Sequence, residues 1–334
     1  MPPNLINRRA FLLSVASLPI VSGQEPTFSA DVKVVNVFAT VRDKQGYIVK
    51  DLKKEDFTLL EDGHRQTIRY FAQQSDLPLT LGLLVDTSGS ERRMIPTERT
   101  ASHKFLEQVL RPDRDKAFLI HFDHDVELLQ DLTASRERLE KALDELQASQ
   151  RQSGVGSGQR AGGMGYPRGG GRRPHGGTAL YDAVYLAGDE ILSKQGGRKA
   201  LILLTDGEDN GSRISLEEAI ASANRADTLG YAVRIADEEI GSMVRGWNGG
   251  GGMERPDGKK ILKQIAKQTG GGYFEFGKKK PLEDIYAEIE DELRSQYSIG
   301  YTSDNSGNDK GFRKIEVTVG KKGFVVQARD GYYA

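Results

Sequence analysis

The sequence predicts an α/β protein in which a doubly wound, mostly parallel, Rossmann-like sheet is inserted between two β segments. Two nearly continuous apolar runs, Leu79–Val85 and Lys199–Gly207, are typical of parallel strands that are covered on both faces. Strand patterns alternate with amphipathic helix patterns across residues 77–297, as in doubly wound folds. Both ends of the chain carry short β patterns instead, which indicates a second, smaller β unit.

The two ends of the chain are rich in β-branched residues and turns. VVNVFATV spans Val34–Val41, a hairpin is expected about Glu61–Gly63, and YSIGYT spans Tyr297–Thr302. Neither end has enough strands for a stable sheet of its own. We therefore expect residues 24–76 and 298–334 to pair as one small β-sandwich-like domain around the inserted sheet.

The helices of the middle segment are predicted from apolar residues at three- and four-residue intervals. Three such faces are Phe105, Leu106 and Val109; Leu139, Ala142, Leu143 and Leu146; and Leu180, Val184, Ala187 and Ile191. A further helix is expected from the N-cap Ser215 to Gly230, followed by the strand YAVRIAD. A closing helix, PLEDIYAEIEDELRSQY, leads into the C-terminal β segment.

Composition and missing motifs narrow the classes of function. The net charge of −1 gives no reason to expect nucleic acid or an anionic membrane as a partner. The absence of cysteine excludes disulfides, thiol nucleophiles and Cys-ligated zinc. The sequence has no G-x-G-x-x-G, P-loop or G-x-S-x-G motif, so we expect neither a nucleotide or other small-molecule cofactor nor a serine-hydrolase site.

The N-terminal residues 1–23 resemble an export signal of the twin-arginine (Tat) type. Arg8 and Arg9 precede the apolar run LLSVASLPIVSG and the small residues Ser22 and Gly23. The run is shorter than the roughly 20 apolar residues that a membrane-spanning helix needs. We therefore expect a periplasmic or extracellular protein with no transmembrane span in its mature chain; whether the signal is cleaved stays open.

Oxygen-bearing side chains follow the two apolar strands. In a doubly wound sheet, ligands bind beyond the carboxyl ends of the strands, where strand order reverses. Asp86-Thr87-Ser88-Gly89-Ser90 follows the first apolar strand, a Gly pair precedes Thr178, and Thr205-Asp206-Gly207 ends the second. The pattern predicts that three loops deliver two carboxylates and three hydroxyls to one edge of the sheet.

Three motifs resemble those of the von Willebrand factor A domain, and the resemblance covers roughly residues 77–297. They are D-x-S-x-S, a Thr after a Gly pair, and T-D-G, each in its expected position. The flanking β segments and the ending Gln-Ala-Arg-Asp-Gly-Tyr-Tyr also look like exported bacterial proteins described only as related to this domain. The resemblance implies a complete metal-ion-dependent adhesion site formed by Asp86, Ser88, Ser90, Thr178 and Asp206.

The chemistry of these five residues suits the implied site. All present oxygen, which selects a hard cation, Mg²⁺ or else Mn²⁺ or Ca²⁺. Only two are anionic, so the cation stays electrophilic and takes up an Asp or Glu of a protein ligand. The simpler alternative is that Asp86 and Ser90 cap a helix and Asp206 caps a turn.

Several other side chains are weaker candidates. The glycine-rich loops 153–177 and 246–252 are expected to overhang the metal edge, where aromatic and Arg side chains suit a partner contact. The partner-binding candidates are Trp247, Arg172 and Arg173. Glu208 and Asp209 are candidates for a supporting or adjacent cation site. A zinc site is a minor alternative at His121, Asp123, His124 and Asp125.

The functional prediction is a non-enzymatic, exported, cation-dependent protein-binding module of the adhesion type. One rival is an accessory subunit of a larger complex, as in metal chelatases; these act in the cytoplasm, and the predicted export signal argues against that. The other rival is a structural domain whose metal only stabilises the fold.

Overall fold

A computed structural model of the protein describes residues 34–73, 77–88, 94–154, 178–235, 257–305 and 311–333. The predicted export signal lies outside these residues, as do residues 155–177 and 246–252 of the two glycine-rich loops. Ser90 of the predicted metal site also lies outside them.

The described residues form three sheets and a set of helices. The strands are β1 (Val34–Arg42), β2 (Phe57–Glu61), β3 (His64–Arg65), β4 (Ile68–Gln73), β5 (Leu79–Asp86), β6 (Lys116–Phe122), β7 (Val126–Thr133), β8 (Arg198–Thr205), β9 (Thr228–Arg234), β10 (Tyr273–Glu275), β11 (Tyr297–Thr302), β12 (Phe312–Val319), β13 (Val325–Ala328) and β14 (Gly331–Tyr333). The helices are α1 (Ile95–Val109), α2 (Arg136–Gly154), α3 (Leu180–Tyr185), α4 (Leu216–Arg225), α5 (Gly258–Thr269) and α6 (Leu282–Ser295). In this part of the chain no helix is both long and apolar enough to cross a lipid bilayer.

The central sheet has six strands in the order β10-β9-β8-β5-β6-β7. All neighbours run parallel except β7, which lies antiparallel to β6 at one edge after a tight turn. Every residue of β5 and β8 is buried, in agreement with their apolar sequences. The predicted doubly wound, mostly parallel sheet is therefore confirmed, and its two central strands are the two apolar runs.

Helices cover both faces of this sheet. On one face α1, α2 and α6 pack against β5, β6 and β8, and the rings of Phe105 and Tyr286 stack with centroids 4.3 Å apart. On the other face α3, α4 and α5 cover the alternate side chains of the same strands. The apolar faces predicted for α1, α2 and α3 are the faces that are buried.

The two ends of the chain pair with each other, as predicted. One antiparallel sheet has the order β13-β1-β11-β4, and the other has the order β14-β12-β2-β3. N-terminal β1 lies between C-terminal β11 and β13, while C-terminal β12 pairs with N-terminal β2. The two sheets share one apolar core. The exact domain boundaries at residues 76 and 297 stay predictions.

Two helices differ from their predicted form. α4 ends at Arg225 rather than Gly230, because Asp227 takes a left-handed conformation (φ 50°) and β9 begins at the next residue. Gly230 lies inside β9, where an added Cβ would lie 2.8 Å from Oγ1 of Thr269 on α5. The glycine therefore serves close packing rather than a helix end. The helix predicted through Ile191 is regular only in α3 and continues as a π turn.

Candidate metal centre

The candidate site is built on the carboxyl edge of the central sheet. Asp86 is the last residue of β5, and Asp206 directly follows the neighbouring strand β8. The parallel register of these strands pairs Val85 with Leu204, so the two aspartates leave the sheet side by side. Thr178 lies at the same edge of the sheet, two residues before α3 begins.

Asp86 is fully buried, and neutral groups hold its carboxylate. Oδ2 accepts a hydrogen bond from the Thr205 hydroxyl at 2.6 Å, and Oδ1 accepts one from the backbone N–H of Ser88 at 2.9 Å. Burial raises the pKa of Asp86 to about 6; the bonds from Thr205 and Ser88 oppose this, and the nearby charge of Asp206 adds to it. A positive charge would favour the ionised form here.

Thr178 is held between two other loops of the same edge. Its backbone N–H donates to Oδ1 of Asn210 at 2.8 Å, and its carbonyl accepts from the N–H of Gly211 at 3.1 Å. The next residue, Ala179, donates to the carbonyl of Asp123 at the end of β6, at 2.8 Å. The segment that carries Thr178 is therefore connected to the ends of both β6 and β8.

The turn after β8 depends on a glycine. Gly207 has a φ of +87°, and an added Cβ would lie 2.5 Å from the carbonyl oxygen of Gly258 at the start of α5. Its N–H donates to Oγ1 of Thr205 at 3.0 Å, while Oδ1 of Asp206 accepts from the N–H of Glu208 at 2.9 Å. The T-D-G sequence thus forms a turn in which each residue has its own role.

The residues of this edge fit a hard divalent cation. Four of the five predicted ligands lie in the described residues and on the converging loops: Asp86, Ser88, Thr178 and Asp206. All of them offer oxygen, and the buried Asp86 carboxylate is the group whose charge a cation would compensate. If a cation binds, these side chains would hold it and supply a Lewis-acidic position for an anionic oxygen.

The weaker candidates have mixed outcomes. Oδ1 of Asp209 accepts from the N–H of Tyr181 at 3.1 Å and from the Ser212 hydroxyl at 2.6 Å, so this carboxylate binds the first turn of α3. Glu208 contributes its backbone N–H to Asp206, and a role for either acidic side chain at a cation stays a prediction. The partner-binding candidates Trp247, Arg172 and Arg173 lie outside the described residues.

The proposed zinc cluster is not formed. His121 lies between the Thr87 hydroxyl, 3.2 Å from its Nδ1, and the Glu127 carboxylate, 3.0 Å from its Nε2. Asp123 accepts a bond from the N–H of Asp125 within the turn. Within the described ranges, no three His, Cys, Asp or Glu side chains are grouped so as to hold a metal ion.

Sequence reasoning missed two residues at this edge. In the sequence Thr205 stands out only as part of T-D-G, although its hydroxyl donates to Asp86 on the neighbouring strand. Glu98 lies in the first turn of α1 and is 2% exposed. A charged residue in register with the buried Ile95 and Ser102 of the same helix was the available signal.

Comparison with known proteins agrees with this architecture. Residues 81–208 match the family model for the von Willebrand factor type A domain. With the six-stranded sheet, this match defines a von Willebrand factor A-like α/β fold. No curated protein matches the sequence.

Similar solved structures include one described as von Willebrand factor type A from Catenulispora acidiphila, at 13% identity and a TM-score of 0.46. The match covers 90% of this chain and 73% of that one. BatB from Bacteroides thetaiotaomicron has 16% identity and a TM-score of 0.44, with coverages of 64% and 97%. Proximal thread matrix protein 1 from the mussel byssus, solved with a zinc-occupied adhesion motif, has 16% identity and a TM-score of 0.44, with coverages of 70% and 49%.

Proposed function

We propose that this protein is a binding module that holds a divalent cation at the carboxyl edge of its sheet and uses it to capture an acidic residue of a partner protein. The observation that carries this proposal is the buried Asp86 carboxylate, held by neutral donors beside Asp206 on converging loops. The match to the von Willebrand factor type A domain supports an adhesion-type role.

The donor set explains how such a module would work. Asp86 and Asp206 balance the charge of one divalent cation, and the hydroxyls of Ser88, Ser90 and Thr178 add neutral oxygen ligands. A side of the cation that faces solvent then remains available to a carboxylate oxygen from the partner. Hard cations with oxygen ligands, Mg²⁺ first and Mn²⁺ or Ca²⁺ as alternatives, suit this chemistry.

The proposal includes export and a non-enzymatic role. The twin arginine at Arg8 and Arg9, followed by a short apolar run, supports a periplasmic or extracellular location. Fractionation of cells that produce the tagged chain, with and without an Arg8→Lys, Arg9→Lys double substitution, tests this. Export that depends on the arginine pair is the expected result, and equal amounts of both chains outside the cytoplasm would contradict a twin-arginine signal.

The binding role is tested by capture of proteins from an envelope extract on the immobilised chain. We expect a partner that is retained with Mg²⁺, released by EDTA, and not retained by the Asp86→Ala variant. Asp131→Ala removes an exposed aspartate from β7 and is the matched control that should bind normally. The captured partner should lose binding when its contacting acidic residue is replaced by the neutral amide.

Two outcomes would favour the rival functions. A chain that binds Mg²⁺ through Asp86 but retains no protein in a metal-dependent way would indicate that the cation only stabilises the fold. Hydrolytic turnover that disappears in Asp86→Ala would indicate an enzyme. Either result would contradict the binding role.

A further inference from the structure

Glu98 is a buried carboxyl group whose two oxygens have no hydrogen-bond partner among the described residues. Its side chain is 2% exposed and lies on the face of α1 that packs against the sheet. Burying a carboxyl group without partners is unfavourable, and buried polar groups in folded proteins are nearly always hydrogen-bonded. An unpaired buried carboxyl therefore calls for a bound ion or water.

The position of Glu98 in the fold brings it to the candidate cation site. α1 is the first helix after Asp86, so its first turn lies at the carboxyl edge where β5 ends. Glu98 is in that first turn and on the buried side of the helix. Burial raises the pKa of Glu98, and the charge of Asp86 raises it further.

Other buried glutamates of this chain have partners. Glu61 accepts hydrogen bonds from Tyr301 at 2.6 Å and from Arg313 at 3.0 Å. Glu292 on α6 binds Arg42 and accepts a bond from Gln327 at 3.1 Å. Glu98 is therefore as buried as Glu61 and Glu292, but unlike them it has no hydrogen-bond partner among the described residues.

We propose that Glu98 lies behind the cation site and contributes a third negative charge from its buried side, without being one of the ligands. This inference rests on the proposed function, because it needs a cation at Asp86. Glu98 leaves the solvent-facing side of the site available to a partner, while its charge strengthens the hold on the ion. Its unfavourable burial in the metal-free protein is then offset when the cation binds.

The test measures cation affinity and metal-free stability in the same variants of the full chain. Glu98→Gln keeps the shape and removes the charge, Glu98→Leu makes the helix face wholly apolar, and Glu292→Gln is a control at an equally buried but paired glutamate. Binding is measured by calorimetric titration with MnCl₂ and MgCl₂. Stability is measured as the melting temperature in EDTA.

We expect Glu98→Gln to weaken Mn²⁺ binding about 10- to 100-fold, the range found for residues that support metal ligands. In EDTA, Glu98→Leu should melt at or above the temperature of the unchanged chain, and its gain in melting temperature on adding Mn²⁺ should shrink. Glu292→Gln should melt lower and keep its Mn²⁺ affinity. A merely structural Glu98 would behave like Glu292.

The outcomes separate this inference from the proposed function. If Mn²⁺ binds to the unchanged chain, is lost in Asp86→Ala and is unaltered in Glu98→Gln, the inference alone is wrong. If the unchanged chain does not bind Mn²⁺, or binds it equally well after Asp86→Ala, both are wrong. Failure of Glu98→Gln and Glu98→Leu to fold in EDTA would also overturn the inference, because it would make Glu98 a stabilising residue.

Discussion

At the residue scale, Thr205 controls the position of Asp86 although it is not a predicted cation ligand. Its hydroxyl donates to Asp86 and accepts from the N–H of Gly207. Thr205→Val keeps the shape but leaves both partners without this hydroxyl, which should lower the free energy of unfolding by about 1–3 kcal/mol. Loss of a supporting hydrogen bond should also weaken cation binding roughly 10- to 100-fold.

The matched control is Thr228→Val, at another buried threonine on a neighbouring strand. Urea unfolding and Mn²⁺ titration of both variants check the prediction. Both should lose stability, and only Thr205→Val should lose affinity. Equal affinity of the two variants for Mn²⁺ would contradict a positioning role for Thr205.

The ion pair of Glu61 and Arg313 predicts how the stability of the sandwich depends on pH. Burial raises the pKa of Glu61, but bonds from Ser303, Tyr301 and Arg313 outweigh it and hold the pKa below its usual 4.5. A lowered pKa in the folded state gives stability that is present above pH 4.5 and is lost as the pH falls through the folded value.

We expect Glu61→Gln to lower the free energy of unfolding at pH 7 by roughly 2–4 kcal/mol, because it leaves buried donors and a charge with weaker partners. Its stability should then fall less steeply below pH 4.5 than that of the unchanged chain. Urea unfolding across this range is the measurement. Parallel stability curves would show that Glu61 does not contribute to the acid sensitivity.

The residues of the candidate site differ in how far sequence can identify them. Asp86 and Asp206 were predictable because each follows an apolar strand, and carboxyl ends of parallel strands meet at one edge. Thr205 was not, because its bond to Asp86 requires that β5 and β8 be neighbours, and strand order is not visible in sequence. Glu98 carries only a weak sequence signal, because which side of α1 is covered depends on how the helix packs against the sheet.

At the element scale, the turn that follows β8 packs against the start of α5, and this limits which residue can follow Asp206. Gly207→Ala would place a Cβ 2.5 Å from the Gly258 carbonyl in a backbone with φ +87°. The strain and clash should lower the free energy of unfolding by about 1–3 kcal/mol. Gly196→Ala is the control, since an added Cβ there meets nothing within 4 Å, and it should change stability by less than about 0.5 kcal/mol.

Urea unfolding of these two glycine variants tests this prediction. The loss in Gly207→Ala should be accompanied by weaker Mn²⁺ binding, because the turn carries Asp206. Similar stabilities of the two variants would mean that the turn adjusts without strain. That result would contradict the role given to Gly207.

Helices and strands were predictable from the sequence where a periodic pattern of apolar residues was long. They were less predictable where tertiary packing overrides a local signal such as a glycine. The apolar faces of α1 and α2 identified those helices correctly. In the sequence Gly230 resembles the end of a helix. In the structure it lies in β9, where the absence of a side chain allows Thr269 to pack closely against the strand. Likewise Gly188, in the π turn after α3, lies so close to Ser222 of α4 that an added Cβ would be 2.7 Å from its hydroxyl.

At the scale of the whole molecule, side chains connect the sandwich to the α/β part. Arg42 of β1 binds Glu288, at 3.0 Å, and the buried Glu292, both on α6. Arg329, just after β13, binds Asp227 before β9 at 2.5 Å. These contacts join strands from both ends of the chain to the inserted segment.

We therefore predict that the sandwich and the α/β part unfold together in one cooperative transition. Scanning calorimetry should give a calorimetric enthalpy close to the van't Hoff enthalpy. Arg42→Ala should lower the free energy of unfolding by about 3 kcal/mol, because it deprives the buried Glu292 of its charged partner. Two resolved transitions, with Arg42→Ala affecting only one, would instead show that the sandwich and the α/β part unfold independently.

Sequence was sufficient to pair the ends of the chain, because each end was an incomplete sheet. It was not sufficient to place β1 between β11 and β13 or to divide eight strands between two sheets. Those arrangements depend on which apolar faces meet in the shared core, which is a property of the folded chain.

The most direct test of the cation site is an anomalous difference map from crystals of the protein grown with MnCl₂. We predict one strong peak at the carboxyl edge of the central sheet, bounded by oxygens of Asp86, Ser88, Thr178 and Asp206, with no peak there in crystals of Asp86→Ala. A map with no peak at this edge, or a peak that persists in Asp86→Ala, would contradict the account.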